Sequence, residues 1–279
     1  MSVELPEAKI LAAQLNQQVL DKQVKSCETQ ESKGLQRIGM LEPDLTVFDQ
    51  LVDAKIETIV SRGNVIVIKF DNKTDLIVGL EYGGELFYHQ SANDVSSFHV
   101  KLVFTDNTAL TVRLTSMGVI QLLADKNLGM SYVYKRDFDL SKLSTTDKDF
   151  TFQHFSLMFS EKNKMLKAVL VGKDAVVVGI SNSTFQDILY RAGLHPKRKA
   201  SELSAEEMQR LYAAIKFVVK ERIRLNGKED FQDLYQKNGS YMPAMGPHMK
   251  EKYCPECGTI IQKLSHGGGH VYLCPCCQT

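Results

Sequence analysis

The chain has 279 residues, of which 43% are hydrophobic and 24% are charged, and its net charge at pH 7 is +1. This composition is typical of a folded globular protein and excludes disorder over any large part of the chain. No apolar run approaches the ~18 residues of a membrane-spanning helix, and the first residues lack the pattern of a secretion signal. We therefore expect a cytoplasmic protein with two domains and no membrane partner.

Charge is distributed unevenly between the two halves of the chain. Residues 151–279 hold 18 Lys and Arg against 12 Asp and Glu, which leaves 16 against 21 for residues 1–150. A basic half is compatible with nucleic-acid binding, but an ordinary solvated surface can carry the same charge.

The first predicted element is an amphipathic helix over residues 6–24. Pro6 is tolerated in its first turn, and apolar residues recur at helical spacing after it. The positions that carry this prediction are Ala8, Leu11, Ala12, Leu15 and Val19.

Short strands are predicted next, over residues 50–125. These runs alternate, are rich in β-branched residues and are separated by turn signals such as Asp106-Asn107. The pattern predicts an antiparallel sheet folded into a sandwich or a barrel. The charged stretch 135–150 lacks periodicity and predicts a linker.

Helical patterns begin at about residue 152. A short helix stopped by Gly193 precedes a turn with Pro196, and a capping box of Ser204 and Glu207 starts a longer helix. The basic residues of the turn are Lys197, Arg198 and Lys199. Either they contact DNA, or they are the solvated end of a pair of antiparallel helices.

Five of the six cysteines lie in the last 26 residues and indicate a metal site. Two C-x-x-C pairs separated by sixteen residues can place four thiolates around a tetrahedral Zn²⁺. The predicted ligands are Cys254, Cys257, Cys274 and Cys277. Cys276 is interpreted as a bystander, although Cys274 with Cys276 is an alternative pair. Replacement of a thiolate by His266 or His270 and a redox dithiol are the less favoured alternatives.

These parts, in this order, resemble the formamidopyrimidine-DNA glycosylase and endonuclease VIII family. The resemblance rests on the "ELPEA" start, the β-rich region, the segment "GISNSTFQDILYRAGLHPKRKASELS" and the C-terminal Cys₄ ribbon, and it covers nearly the whole chain. It implies an α+β fold: an N-terminal helix with an antiparallel β-sandwich domain (1–134), a linker (135–150), a helix–two-turn–helix DNA-binding domain (151–249) and a zinc ribbon with one structural zinc ion (250–279).

The resemblance also implies a role in base-excision DNA repair, as a DNA glycosylase with AP-lyase activity. In the family, an N-terminal amine attacks the anomeric carbon of a damaged nucleotide, and the Schiff base that forms permits β-elimination. The resemblance places Ser2 or Val3 at the amine, gives proton handling to Glu4, and leaves Glu7 either to support Glu4 or to cap the helix. It assigns phosphate contacts to Asn182, Lys197, Arg198 and Lys199. The implied partner is duplex DNA, damaged or abasic, bound by a monomer.

Several residues depart from the family pattern. Val3 stands where the family has its nucleophilic proline, and Ser2 precedes it. Either Ser2 supplies the amine by a shifted path, or the chain start is trimmed further, or the nucleophile is lost. Asn64 and Gly269 replace a phosphate-binding lysine and arginine, and the loop that probes the DNA stack offers Met117, Val119 or Ile120.

Three functions remain open from the sequence. The chain is an active glycosylase and AP lyase, or a catalytically silent relative that binds damaged DNA, or a zinc-ribbon protein that binds another protein. Borohydride trapping on abasic DNA separates the first from the second, and a failed gel shift at low salt favours the third.

Overall fold

The computed structural model describes residues 3–95, 97–172 and 175–279, so Ser2, a predicted site residue, lies outside the described residues. Backbone contacts divide the chain into two compact units. The first comprises Met1–Asp139 with Leu225–Ser240, and the second comprises Leu140–Arg224 with Tyr241–Thr279. The expected boundaries placed residues 225–240 in the helical domain, whereas here they belong to the first unit. The expected linker 135–150 is divided between the two units, and the ribbon belongs to the second unit.

The predicted helix at the start of the chain is present, but it is shorter than expected. Helix α1 covers Leu5–Gln18, and its predicted apolar face is buried. The predicted end at residue 24 is wrong, because Asp21 has a positive φ of 66° that interrupts helical geometry, and a strand begins at Val24.

Two four-stranded antiparallel sheets form most of the first unit. Their strands are β1 (Val24–Thr29), β2 (Ile56–Arg62), β3 (Val65–Phe70), β4 (Thr74–Gly79), β5 (Gly84–His89), β6 (Val100–Phe104), β7 (Ala109–Leu114) and β8 (Val119–Ala124). The strand orders are β1-β6-β7-β5 and β2-β3-β4-β8. The predicted β region is confirmed. Strand β1 was not predicted, because it is a half-exposed edge strand with little apolar pattern.

The second unit contains four α-helices and a two-stranded ribbon among its described residues. The remaining α-helices among the described residues are α2 (Lys33–Arg37) and α3 (Tyr132–Asp137) in the first unit, and α4 (Phe152–Ser160), α5 (Leu166–Leu170), α6 (Asn182–Ala192) and α7 (Ala205–Arg224) in the second. The ribbon pairs β9 (Gln262–His266) with β10 (Gly269–Leu273). No helix in the described part of the chain is long and apolar enough to cross a membrane.

The predicted boundaries of α6 and α7 are confirmed by their caps. Gly193 ends α6 with a left-handed φ of 67°, which a residue without Cβ adopts at little cost. At the start of α7, the Glu207 N–H donates to Ser204 Oγ at 3.2 Å, and the Ser204 N–H donates to Glu207 Oε2 at 2.8 Å. This reciprocal pair is the capping box that the sequence predicts.

Asp233 links the segment 225–240 to α1 through hydrogen bonds. Its Oδ2 accepts hydrogen bonds from Gln14 Nε2 and Asn226 Nδ2, both at 2.9 Å. Its Oδ1 accepts the backbone N–H groups of Tyr235 and Lys237, both also at 2.9 Å. One buried carboxylate therefore satisfies four donors that the fold brings together.

Replacing Asp233 by alanine should lower the free energy of unfolding by about 2–3 kcal/mol at neutral pH, because buried donors lose their acceptor. Burial raises the pKa of Asp233, but hydrogen bonds from Asn226, Lys237 and Gln14 outweigh this effect and hold the pKa below its ordinary value. The stabilisation is then fully present above the ordinary pKa of about 4 and is lost as the pH falls through the lower folded value.

Urea unfolding of the two proteins at several pH values measures this difference. The gap between wild type and Asp233→Ala should narrow only below about pH 4. Glu31→Ala, which removes an exposed carboxylate, is the matched control and should leave stability unchanged. A gap that stays constant down to acid denaturation would show that Asp233 acts without its charge.

Candidate functional site

The start of α1 buries the residues predicted to carry the chemistry. Val3 is 1% exposed, Glu4 is 0% exposed, and the Val3 N–H donates to the Leu80 carbonyl at 3.3 Å. While any residue precedes Val3, this nitrogen belongs to a peptide bond, where resonance makes it a poor nucleophile. If Val3 were the first residue, the same nitrogen would be an amine directly beside the buried Glu4 in the chain.

Glu7 has a structural role in this part of the first unit. Its Oε2 accepts the Glu4 N–H at 3.2 Å, and its Oε1 accepts the Lys228 N–H at 3.3 Å. The carboxylate thus caps α1 at its positive end and holds the segment 225–240. Of the two predicted roles for Glu7, the cap is the one these contacts describe.

Tyr82 is a candidate that the sequence analysis missed. It lies in the turn between β4 and β5, is 46% exposed, and donates its N–H to the Met117 carbonyl at 2.8 Å. Burial raises the pKa of Tyr82, and the carboxylates of Glu4 and Glu81 raise it further. An exposed aromatic side chain therefore lies near the predicted acid. The signal available in the sequence was an aromatic residue in the glycine-rich turn "LEYGGE".

Met117 is the one predicted wedge residue that reaches the surface. Its side chain is 51% exposed, whereas Val119 and Ile120 are 7% and 0% exposed. The proposal of Val119 or Ile120 as a wedge is wrong, because both side chains pack in the core between the strands. Tyr82 and Met117 together form an exposed apolar pair on two adjacent loops.

The turn between β2 and β3 is hydrogen-bonded to the carboxylate of Asp137. The Asn64 N–H donates to Asp137 Oδ2 at 2.8 Å, and Arg136 Nε pairs with Asp137 Oδ1 at 2.7 Å. Arg136 also forms an ion pair with Glu81. At Gly63, with φ of 57°, an added Cβ would lie 2.5 Å from Asp137 Cγ. The backbone N–H of Asn64 in this turn is therefore already bound to an internal carboxylate.

In the second unit, α6 and the ribbon bring polar groups to one place. Asn182 Nδ2 donates to the His270 carbonyl at 2.8 Å, and its Oδ1 is buried without a hydrogen-bond partner among the described residues. Gln186 Oε1 accepts the Tyr272 N–H at 2.8 Å, which fixes the ribbon against α6. Asn182 is therefore held at the helix start, beside the ribbon hairpin.

Lys167 is a second residue that the sequence analysis missed. Its Nζ donates to the His266 carbonyl at 2.6 Å, and a Cβ added at Gly269 would lie 3.7 Å from Nζ. Burial lowers the pKa of Lys167. The amine thus approaches Gly269, the hairpin position at which the resemblance led us to expect an arginine. A lysine inside the apolar run "MLKAVL" was the available signal.

His266 lies among the basic residues of this place as a neutral imidazole near pH 7. Burial lowers the pKa of His266, and the positive charges of Lys167, Lys197 and His195 lower it further. Its Nε2 is buried without a hydrogen-bond partner in the described part of the chain. The amines of Lys167 and Lys197 lie close to His266, and Asn182 at the start of α6 contacts the same hairpin. These positive groups favour an anion.

The basic residues of the predicted turn differ in their exposure and contacts. Lys197 and Lys199 are exposed, and Lys199 has a loose ion pair with Glu202 at 3.8 Å. The Arg198 guanidinium instead contacts both oxygens of Glu207, each at 3.0 Å, and lowers the pKa of that carboxyl. Arg198 thus holds the turn against the start of α7.

The four predicted cysteine ligands form one cluster. Their Sγ atoms all lie within 4.8 Å of one another, with Cys254 to Cys277 at 3.9 Å and Cys257 to Cys274 at 3.4 Å. A tetrahedral Zn²⁺ with Zn–S distances of about 2.3 Å requires sulfur separations of about 3.8 Å, so the donor set fits the ion. Cys276 lies outside the cluster and is exposed.

Three family models match the chain in the order of its parts. The formamidopyrimidine-DNA glycosylase N-terminal domain matches residues 3–115, the formamidopyrimidine-DNA glycosylase H2TH domain matches residues 143–232, and the zinc finger found in FPG and IleRS matches residues 252–279. The chain belongs to the formamidopyrimidine-DNA glycosylase family. The cysteine cluster of this family member is its zinc site.

Relatives of this formamidopyrimidine-DNA glycosylase family protein align over their whole length. Formamidopyrimidine-DNA glycosylases from Bacillus cereus and Streptococcus pneumoniae are each 25% identical to it, over 99% of this chain and 98% of theirs. Among solved structures, Fpg of Lactococcus lactis in complex with abasic-site DNA superposes with a TM-score of 0.83 at 20% identity, covering 99% of both chains. MutM in complex with DNA containing carbocyclic 8-oxo-G gives 0.81 at 20% identity and the same coverage. The structural likeness confirms the α+β fold.

Proposed function

We propose that this formamidopyrimidine-DNA glycosylase family protein binds duplex DNA at damaged or abasic sites. The observation that carries the proposal is the convergence of Lys167, Asn182 and the hairpin of the zinc ribbon at the start of α6. The relatives are named as DNA glycosylases, and the solved structures contain abasic or lesion-bearing DNA, which supports the same ligand here. Because the ligand is DNA, we place the protein in the cytoplasm, at the nucleoid in a bacterium.

Phosphate groups are the part of DNA that this basic place suits. The N–H groups at the start of α6 carry partial positive charge, and the amines of Lys167 and Lys197 lie near His266 of the adjoining hairpin. Contacts of this kind position the duplex without reading its sequence. Arg198 contributes by shaping the turn, since Glu207 already holds its guanidinium.

We assign recognition of the lesion to Tyr82 and Met117 of the first unit. Both side chains are about half exposed on adjacent loops, and Tyr82 lies near the buried Glu4. An aromatic ring and a flexible thioether can fill the gap left by a missing or displaced base, because every base offers a face for stacking. Recognition of damaged DNA would then depend on a gap in the stack of its bases.

Glycosylase and AP-lyase activity is the second candidate function, favoured by the buried Glu4 beside Val3. The reaction needs a terminal amine at Ser2 or Val3, because the Val3 nitrogen of the longer chain is an amide. The turn at Asn64 supports the silent alternative, because Asp137 accepts the Asn64 N–H, which is then not available to a phosphate. We therefore propose lesion binding as the function and covalent catalysis as conditional on the amine.

Neutralising Lys197 and Lys199 together should weaken binding to damaged and undamaged duplexes alike. Each phosphate contact contributes about 0.9 to the slope of log affinity against log salt, so the slope should fall in magnitude by about 2. Fluorescence anisotropy over a salt series measures both quantities. Arg198 is left intact, because its removal would also release Glu207 and disturb the start of α7.

The matched control replaces two exposed lysines of the first unit, Lys25 in β1 and Lys33 in α2, and should leave the slope unchanged. An unaltered slope for the double variant of Lys197 and Lys199 would show that the turn is only a solvated surface. Failure of the wild-type protein to bind any duplex at low salt would contradict DNA binding altogether and favour the protein-binding alternative.

A further inference from the structure

The outer face of α7 combines basic and apolar side chains. From residue 209 onward, its exposed residues recur at spacings of one, three and four and so form one stripe along the helix. They are Gln209, Arg210, Ala213, Lys216, Phe217, Lys220 and Arg224. Arg224 pairs with Glu221 at 2.8 Å, so that part of the stripe is internally neutralised. The rest is a positively charged strip around one large aromatic ring.

Phe217 lies between two concave apolar surfaces of the second unit. One is a groove of about 860 Å³ between α6, α7 and residues 242–256, where Met242 is 52% exposed. The other is a hollow of about 330 Å³ bordered by Val219 and Ile223. Phe217 lines both and is itself 48% exposed. Exposed apolar grooves of this size are more common at binding sites than elsewhere on a protein surface.

Basic side chains border both concave surfaces: Arg210 lines the groove, and Lys216 and Lys220 line the hollow. Arg210, Lys216 and Lys220 have no ion pair with a carboxylate among the described residues. The Arg191 guanidinium lies 4.8 Å from the centre of the Phe217 ring and pairs with the buried Asp187 at 2.9 Å. Glu256 borders the groove, and the charges of Arg210 and Lys220 also help to lower the pKa of Glu207 and of Glu221, which partly offset them. The excess of positive charge favours a ligand that supplies negative charge as well as apolar groups.

We propose that this face of α7 binds an acidic segment of another protein, with an aromatic or branched aliphatic side chain inserted beside Phe217. The carboxylates of such a segment complement Arg210, Lys216 and Lys220, and its apolar side chain removes Phe217 and Met242 from water. The proposal is independent of the proposed DNA function, since none of these residues is assigned to the DNA site.

Two other ligands fit the face less well. A DNA backbone would match the positive charge, but it has no apolar group for the groove around Phe217. A second copy of this chain would bring the same basic strip to the contact, and like charges would face each other around a shared axis. An acidic segment with apolar anchors satisfies both features at once.

Selection from a displayed library of short random peptides tests the proposal, with the zinc-loaded full chain as target. The enriched peptides should be acidic and should share an aromatic or branched aliphatic residue. A synthetic peptide of the dominant class should bind in fluorescence anisotropy, and Phe217→Ala should weaken it by about tenfold or more, as loss of a central anchor does. Reversal of charge in Lys216→Glu with Lys220→Glu should weaken it by a similar factor of about ten.

Matched controls lie on the first unit. Ile38→Ala removes an apolar side chain that is 58% exposed, and the pair Lys25→Glu with Lys33→Glu reverses two exposed charges; neither should affect the peptide. Circular dichroism confirms that each variant is folded. Absence of an acidic, apolar class among the selected peptides would overturn the proposal, as would binding that survives both α7 variants. A dimer in sedimentation that depends on Phe217, or displacement of the peptide by duplex DNA, would also overturn it.

Discussion

Replacing Cys257 by serine should reduce the zinc content from one ion per chain to none. The four thiolates lie within 4.8 Å of one another, and a structural Zn²⁺ contributes about 10–16 kcal/mol to the folding of small zinc domains. Without the ion, β9 and β10 lose the constraint that holds the ribbon. The contacts of His270 with Asn182 and of Tyr272 with Gln186 should be lost with it, so binding of DNA should weaken as well.

Metal analysis by mass spectrometry and hydrogen exchange of the ribbon amides measure these effects. Cys276→Ser is the matched control, because this thiol is exposed and lies outside the cluster, and it should leave the zinc content at one per chain. Full zinc retention in Cys257→Ser, or zinc loss in Cys276→Ser, would show that the ligand set is assigned incorrectly.

A variant that lacks Ser2, so that removal of Met1 leaves Val3 as the first residue, should form far more borohydride-trapped complex with abasic DNA. An α-amine with a pKa of about 7.7–8.0 is partly neutral near pH 7 and can add to the sugar aldehyde. Loss of water gives an iminium ion. Borohydride then transfers a hydride to the carbon of this ion, and the amine that results is a stable crosslink between protein and DNA. One extra residue displaces the amine by up to about 3.3–3.6 Å.

Reacting atoms must approach within about 3–3.5 Å, so this displacement should cost orders of magnitude in rate. In the structure, the Val3 nitrogen lies 3.3 Å from the Leu80 carbonyl oxygen, in a buried position next to Glu4. Glu4→Gln in the shortened variant should abolish the gain, because the proton carrier is removed. Equal trapping by the full sequence and the shortened variant would contradict this account of the amine. Binding of abasic DNA without trapping by either would identify a silent relative.

Features encoded by local spacing could be predicted from the sequence. The two C-x-x-C pairs, Gly193 after α6 and the Ser204 and Glu207 capping box each involve residues close together in the chain, and the structure confirms all three. Their geometry depends on backbone conformation over a few residues. The end of α1 was missed for the opposite reason, since the pairing of β1 with the distant β6 outweighs the helical pattern after residue 18.

The parts of the candidate site that the sequence did not predict depend on contacts between distant segments. Asp137 reaches Asn64 across 73 residues of the chain, and Lys167 reaches the hairpin carbonyl of His266 across 99 residues. Neither pair has a spacing that indicates contact. Tyr82 is similar, because its value as a candidate comes from the adjacent loop of Met117 and the nearby Glu4.

The central claim is that the protein binds DNA with a gap in its base stack more tightly than intact DNA. One competition experiment tests this claim directly. The labelled ligand is a duplex with a single tetrahydrofuran abasic analogue, and the competitor is the same duplex without the defect, at several salt concentrations. The abasic duplex should bind more tightly by about tenfold or more, as expected for one aromatic stacking contact. Tyr82→Ala should reduce that preference while leaving binding to the intact duplex unchanged. Equal affinity of the wild-type protein for both duplexes at every salt concentration would contradict the account.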